Sequence, residues 1–160
     1  NSLVAHGKNT GEEFARKFNF EIIEMDGNLD LIEKCFCSAL ARRKEIISRY
    51  DAAFKPLDIE VLDHYNEEHQ SSGHLYITRI PGITLEQRHE IIVKMAEKGV
   101  ACNVHYKPLP MMTAYKNMGF DIKDFPHSYN MYRNEITLPL HTCLTDEQVE
   151  YVIEQFNRMK

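Results

Sequence analysis

The chain has 160 residues, of which 43% are hydrophobic and 27% charged, and its formal net charge is −5 at pH 7. This composition is typical of a globular domain and excludes disordered, collagen-like and membrane-embedded proteins. The negative charge and the lack of a basic run argue against nucleic-acid binding, because neutralising phosphates requires clustered Lys and Arg. No stretch approaches the roughly 20 apolar residues of a membrane span, so we expect a cytoplasmic protein without a membrane partner.

The first 28 residues carry weak structural signals. Turn-forming residues precede a short helical pattern at Glu12–Lys17, and an alternating run ends at Ile22. The polar start at Asn1, without an initiator Met, indicates a piece of a longer protein. We therefore interpret residues 1–28 as a connecting segment or the remnant of a larger domain, and residues 29–160 as one domain.

A long helix is predicted from about Leu29 to Phe54. Apolar residues recur there at steps of three and four among good helix formers, at Ile32, Phe36, Ala39, Leu40, Ile47 and Tyr50. Pro56 ends the helix, because proline cannot continue it and disfavours helical geometry at the preceding residue. Asp58–Gly73 is polar and turn-rich, so a loop is expected there.

The next segments alternate between strand and helix patterns. A strand at His74–Ile80 precedes a helix at Leu85–Lys98, which the Thr84 and Gln87 capping box opens and Gly99 closes. The later predictions are a strand at Val100–Tyr106, a short helix at Met111–Met118, a helix behind an Asp124 cap with Pro126 in its first turn, a strand at Glu135–Leu140, and a last helix opened by Thr145 and Gln148. This order predicts an α/β (α+β) layer fold, in which helices cover a small three-stranded sheet.

Several motifs, taken in order, resemble the DegT/StrS family of sugar aminotransferases. A helix ending in Gly99 and Val100 leads into Val-His-Tyr-Lys-Pro-Leu at residues 104–109. Downstream come a Phe-Pro pair, a Leu-Pro-Leu-His turn and an acidic capping box, at Phe125–Pro126, Leu138–His141 and Thr145–Gln148. The run Ala-Arg-Arg-Lys-Glu-Ile at residues 41–46 resembles the connecting helix of the family. The resemblance covers about residues 29–159.

This resemblance implies the C-terminal small domain of a fold type I aminotransferase with pyridoxal 5'-phosphate as cofactor. It implies transfer of an amino group, with glutamate as donor, to a nucleotide-linked keto-sugar in cell-surface polysaccharide biosynthesis, and it implies a homodimer. In this family the lysine that holds the cofactor and the carboxylate that pairs with its pyridinium nitrogen lie in the large domain, which would precede Asn1. No catalytic residue is therefore assigned to this chain.

The resemblance also implies site residues. The family directs this strand end toward substrate, which implies substrate binding by His105, Tyr106 and Lys107, whose side chains can donate hydrogen bonds and charge to a diphosphate or to sugar hydroxyls. From the residues alone, His105 could instead be a solvent-facing strand residue and Tyr106 the edge of the core. The Gly-Tyr-Asn-x-Arg stretch of the family, whose Asn reaches the cofactor phosphate of the partner subunit, is reduced here to Gly27 and Asn28. Asn28 is thus the one candidate for cofactor contact.

Two further interpretations stay open. His141 could approach the same site, although a turn histidine that caps a strand end is the simpler interpretation. The second interpretation concerns function: the chain could be a stand-alone α/β module that binds a small molecule or a protein without catalysis.

A metal site is not expected. His64, His69 and His74 are five residues apart, which fits neither one helix face nor the usual zinc spacings, so they are assigned to a polar loop. The remaining sulfur-containing residues are expected to be structural, the cysteines as small apolar filler and the methionines as core, at Cys37, Cys102, Cys143, Met111 and Met112.

Overall fold

The structure is a computed structural model that describes residues 2–3, 21–22 and 29–159. The chain divides into two units, Asn1–Arg42 and Arg43–Lys160. In the first unit, β1 (Ser2–Leu3) pairs in parallel with β2 (Glu21–Ile22). Two predictions lie outside the described residues, namely the helix at Glu12–Lys17 and the cofactor contact at Asn28.

The long helix α1 (Leu29–Phe54) has the predicted bounds. The helix is followed directly by a 3-10 turn at Lys55–Leu57, which has Pro56 in one of its first two positions. This agrees with the prediction that Pro56 ends the helix. Its C-terminal turns bury four residues completely or nearly so, namely Ile46, Ile47, Tyr50 and Phe54. Phe36 was expected on the same buried stripe, but its side chain is 61% exposed. Among the described side chains of the stripe, full burial is therefore confined to the last turns, where the core lies.

The second unit is built on a three-stranded antiparallel sheet. Its order is β3 (Glu60–Val61), β4 (Tyr76–Arg79) and β5 (Glu135–Leu138). The register places Tyr76 opposite Leu138 and Arg79 opposite Glu135. A mixed α/β fold with three strands is thus confirmed, but the third strand comes from the segment that was predicted to be a loop.

The strand predicted at Val100–Tyr106 is wrong. This segment makes a single bridge to the sheet, in which Asn103 and Thr137 exchange two backbone hydrogen bonds of 3.1 and 2.8 Å. The next backbone N–H donates to the side chain Oδ1 of Asn103 at 2.8 Å, and the N–H of His105 donates to Oε2 of Glu135 at 3.0 Å. Pairing stops because side chains take the N–H groups that would extend the ladder.

Four further helices cover the sheet region, namely α2 (Leu85–Glu97), α3 (Thr113–Asn117), α4 (Pro126–Arg133) and α5 (Asp146–Met159). The two predicted capping boxes are present, with both reciprocal hydrogen bonds at Thr84 and Gln87 and at Thr145 and Gln148.

The predicted cap of α4 is wrong. Asp124 ends a 3-10 turn, and Phe125 occupies the N-cap position without a side-chain hydrogen bond. Asp121 caps the preceding 3-10 turn and not the helix, because its carboxylate accepts the N–H of Lys123 at 2.9 Å. Pro126 does stand at the start of α4, as expected.

The core of the second unit is centred on aromatic rings from three elements. Tyr50 and Phe54 of α1, Tyr76 of β4 and Phe156 of α5 lie with ring centroids 4.8 to 6.3 Å apart. The two phenol hydroxyls are satisfied, Tyr50 by the carbonyl of Pro139 at 2.9 Å and Tyr76 by Oδ1 of Asp51 at 2.8 Å. These four residues, called the aromatic cluster below, join the long helix, the central strand and the last helix.

Two expectations about sulfur-containing residues are wrong. Met112 is 39% exposed and Met111 is only half-buried, because Met111 ends a short 3-10 turn without buried residues and Met112 is its C-cap. Cys37 and Cys143 are exposed, whereas Cys102 is partly buried and packs against the core. None of the helices in the described part of the chain is long and apolar enough to cross a membrane.

Gly99 has the left-handed conformation predicted for the stop of α2, with φ of +75°. Its N–H donates to the carbonyl of Ala96, and the next N–H, of Val100, reaches back to Met95 at 2.9 Å. Because a Cβ at this φ is strained, we expect Gly99→Ala to cost about 1 to 2 kcal/mol and to lower the melting midpoint by roughly 2 to 8 °C.

The control is Gly99→Asn, which should lose less stability because Asn tolerates left-handed geometry better than Ala. No atom lies within 4 Å of the added Cβ, so a loss in the alanine variant reports backbone strain and not a clash. An unchanged or raised midpoint in Gly99→Ala would remove the helix-stop assignment.

Burial raises the pKa of the Cys102 thiol to about 12. Thiolate is the nucleophile, and an unperturbed thiol has a pKa of about 8.5, so Cys102 should be almost entirely protonated at pH 8. In variants that keep a single cysteine, we expect a thiol reagent at pH 8 to label Cys102 at least about 100-fold more slowly than the exposed Cys143. Equal labelling rates would show that Cys102 is an accessible nucleophile.

Candidate functional site

A cavity of about 230 Å³ lies where the sheet meets α4 and the segment that contains His105. Strands β3, β4 and β5 each contribute to its wall. Its polar lining residues include Glu60, Arg79, His105, Tyr106, Ser128 and Glu135. A cavity with a small number of convergent polar groups on apolar walls is the ordinary form of a small-molecule site.

His105 is held by two side chains of β5. Its backbone N–H donates to Oε2 of Glu135 at 3.0 Å, and its Nδ1 lies 2.9 Å from Oγ1 of Thr137. The hydroxyl of Thr137 in turn donates to Oε1 of Glu135 at 2.6 Å. Glu135 and Thr137 are 4% and 5% exposed, so these bonds form in a desolvated setting.

Sequence reasoning missed this pair of β5 residues, although a signal for them exists. In a strand, residues two apart point to the same face, so Glu135 and Thr137 share a face while Ile136 and Leu138 share the other. A carboxylate and a hydroxyl on one face of a strand that is buried throughout require polar partners inside the protein. The segment at His105 supplies them.

The carboxyl group of Glu135 has a raised pKa, and burial is the main cause. Hydrogen bonds from the Thr137 hydroxyl and the His105 N–H act in the opposite direction, as do the charges of His105 and Arg88. Arg88 is itself 5% exposed, and its guanidinium carbon lies 4.8 Å from the centroid of the Tyr132 ring. The carboxyl group therefore sits in an enclosed environment beside cationic groups.

Tyr106 projects from the protein beside His105. Its side chain is 71% exposed, and its ring stands edge-on to the imidazole with centroids 4.8 Å apart. The peptide bond between His105 and Tyr106 is cis. Neither residue fits the structural alternative, because Tyr106 is not at the edge of the core and His105 is half-buried in side-chain hydrogen bonds.

Arg79 forms the cationic part of the cavity wall. It is ion-paired with Glu60 of the adjacent strand, and its Nη1 donates to Sδ of Met131 at 2.7 Å. The strand pairing of β3 and β4 places Glu60 directly opposite Arg79. Sequence analysis did not single out either residue, because it placed Glu60 in a loop.

Two of the three predicted substrate residues, His105 and Tyr106, thus lie at one cavity. Lys107 is exposed and is not among the residues that line it. His141 lies exposed in the turn before α5, where its carbonyl accepts the N–H of Leu144 at 3.2 Å, and it does not line the cavity either.

The described residues do not by themselves fit pyridoxal phosphate, because no lysine lines the cavity. Nor do they hold three His, Cys, Asp or Glu side chains close enough together to bind a metal ion. Of the three spaced histidines, His64 is buried and stacks on Tyr76 with centroids 5.8 Å apart, and burial lowers its pKa. The ring nitrogen Nε2 of His69 lies 2.8 Å from the backbone carbonyl oxygen of Asp63.

The curated relatives of this chain are longer proteins, and the sequence similarity covers only part of each of them. The spore coat polysaccharide biosynthesis protein SpsC of Bacillus subtilis is 29% identical over 119 residues, which is 71% of this chain and 30% of the relative. The UDP-4-amino-4,6-dideoxy-N-acetyl-beta-L-altrosamine transaminase of Helicobacter pylori is 27% identical over 143 residues, which is 89% of this chain and 38% of the relative. The chain therefore spans about a third of the length of these proteins.

A solved structure extends the comparison. The apo form of the putative sugar aminotransferase Spr1654 from Streptococcus pneumoniae is 53% identical with a TM-score of 0.75, over 78% of this chain and 31% of that one. The same protein has been solved in PLP and PMP forms, which confirms for the family the cofactor that the sequence resemblance implied. Residues 30–157 match the family described as DegT/DnrJ/EryC1/StrS aminotransferases. The chain belongs to the DegT/DnrJ/EryC1/StrS aminotransferase family.

Proposed function

We propose that this chain is the C-terminal small domain of a pyridoxal-phosphate-dependent aminotransferase that acts on a nucleotide-linked keto-sugar, with glutamate as amino donor. Family membership over residues 30–157 supports the reaction class. The names of the relatives, which include a UDP-sugar transaminase and a polysaccharide biosynthesis protein, support the substrate class and a role in polysaccharide assembly. We further propose a cytoplasmic homodimer, as the sequence resemblance implies.

The role proposed for this chain is to provide one edge of the substrate site. The observation that carries this role is the convergence of His105, Tyr106 and Arg79 on one cavity. Imidazole and phenol groups exchange hydrogen bonds with sugar hydroxyls, and a guanidinium pairs with phosphate oxygens. The exposed ring of Tyr106 offers an apolar face against which a sugar or a base can pack.

Pyridoxal phosphate, when bound, supplies the electron sink of transamination. The role proposed for the described residues is to bind and orient substrate. Orientation alone can matter greatly, because a reacting group held in the correct geometry avoids much of the entropic cost of encounter. His105 is suited to this because its hydrogen bonds to Glu135 and Thr137 fix its position.

Replacing His105 by Ala in the whole aminotransferase should weaken turnover of the keto-sugar and leave cofactor binding unchanged. Loss of one hydrogen bond, with its partner left unsatisfied, costs about 1 to 3 kcal/mol, so kcat/KM should fall roughly 5- to 150-fold. The measurement is kcat/KM with UDP- and dTDP-linked keto-sugars, with cofactor occupancy followed by absorbance.

The control is His74→Ala, since His74 is another histidine of the second unit, which is exposed and does not line the cavity. We expect wild-type kcat/KM for it. Wild-type kinetics for His105→Ala would remove His105 from the substrate site. Failure of the wild-type enzyme to aminate any of these nucleotide-sugars would contradict the substrate class itself.

A further inference from the structure

The hydrogen bonds around His105 determine which of its ring nitrogens carries the proton. A backbone N–H can only donate, so Oε2 of Glu135 accepts from His105. The single hydroxyl proton of Thr137 is committed to Oε1 of the same carboxylate, at 2.6 Å. Oγ1 of Thr137 can therefore interact with Nδ1 of His105, 2.9 Å away, only as an acceptor.

Nδ1 must then be the donor of that bond, which leaves Nε2 without a proton in the neutral imidazole. Among the described residues, Nε2 of His105 has no hydrogen-bond partner, and His105 is one of the residues that line the cavity. A nitrogen with a lone pair facing a small-molecule site accepts hydrogen bonds and repels phosphate oxygens. The ring thereby discriminates between the two chemical parts of a nucleotide-sugar.

We propose that Glu135 and Thr137 are positioning residues that hold His105 as the Nδ1-protonated tautomer, so that Nε2 accepts a hydrogen bond from a hydroxyl of the sugar. This deepens the proposed function and rests on it for the identity of the ligand, but not for the tautomer. Phosphate recognition falls instead to Arg79, the cationic residue of the cavity wall.

Charged groups on each neighbouring element bear on this arrangement. Glu60 of β3 and Arg79 of β4 form an ion pair on the cavity wall. Arg88 of α2 is buried, and its charge lowers the pKa of the Glu135 carboxyl, against the burial that raises this pKa. The charge of Arg88 and the two hydrogen bonds that Glu135 accepts favour its ionised form, which accepts on both oxygens.

An isosteric substitution should reverse the direction of the chain of hydrogen bonds. In Glu135→Gln, the N–H of His105 still requires an acceptor, so the amide oxygen takes the position of Oε2. The amide NH₂ then faces Thr137 and donates to its Oγ1, which frees the hydroxyl proton to donate to Nδ1 of His105. The imidazole should switch to the Nε2-protonated tautomer.

The test is a long-range proton–nitrogen NMR spectrum of the full chain with ¹⁵N-labelled histidine at pH 8, without substrate. His105 is one of eight histidines, and its signals are assigned by their loss in His105→Gln. The wild type should favour Nδ1–H by at least about tenfold, the magnitude that one net hydrogen bond supplies. In Glu135→Gln the two ring nitrogens should exchange their shifts.

Thr137→Ser keeps the hydroxyl and should retain the wild-type tautomer, whereas Thr137→Val removes it and should yield a mixture. A wild-type ring protonated on Nε2, or a Glu135→Gln ring unchanged from wild type, would overturn the proposal. If the glutamine variant fails to fold, the wild-type spectrum and the Thr137→Val comparison still decide it. A wild-type Nδ1–H ring, together with normal turnover in His105→Ala, would support the tautomer and refute the substrate role.

Discussion

The aromatic cluster is the constraint on which the rest of the second unit depends. Tyr76 contributes both to this cluster and to the central strand, because its ring packs on Tyr50 and Phe54 of α1, and Phe54 in turn packs on Phe156 of α5. Its hydroxyl is satisfied by Asp51, and burial raises its pKa. Truncating a buried aromatic residue of this kind usually costs about 3 to 5 kcal/mol, because a large cavity is left behind.

The position of β4 then determines the site. With Tyr76 opposite Leu138, the antiparallel register brings Arg79 opposite Glu135. A slip of one residue would move every side chain of β5 to the other face, which would take Glu135 and Thr137 away from His105. The candidate site therefore depends on a packing interaction at the opposite end of the same strand. The chemistry at His105 is a consequence of that register.

Local sequence patterns predicted where helices begin and end, but they did not predict which segments pair with one another. Capping boxes, the proline after Phe54 and the left-handed Gly99 are short-range signals, and each appears where the sequence indicated. The run Val100–Tyr106 alternates like a strand, yet the N–H of Val104 binds the side chain of Asn103 and the N–H of His105 binds Glu135, a distant partner that no local pattern shows. The same limit explains why the resemblance singled out His105 while Glu135, about thirty residues later, went unnoticed.

Membership of the aminotransferase family does not by itself assign a task to this part of the protein, since fold and site are separable. The central claim is that the edge formed by His105, Tyr106 and Arg79 binds the nucleotide-sugar. The most direct measurement is a crystal structure of the whole aminotransferase with a nucleotide-sugar bound. The account predicts a sugar hydroxyl within about 2.6 to 3.2 Å of Nε2 of His105. A fully ordered ligand that makes no contact with this edge would contradict it.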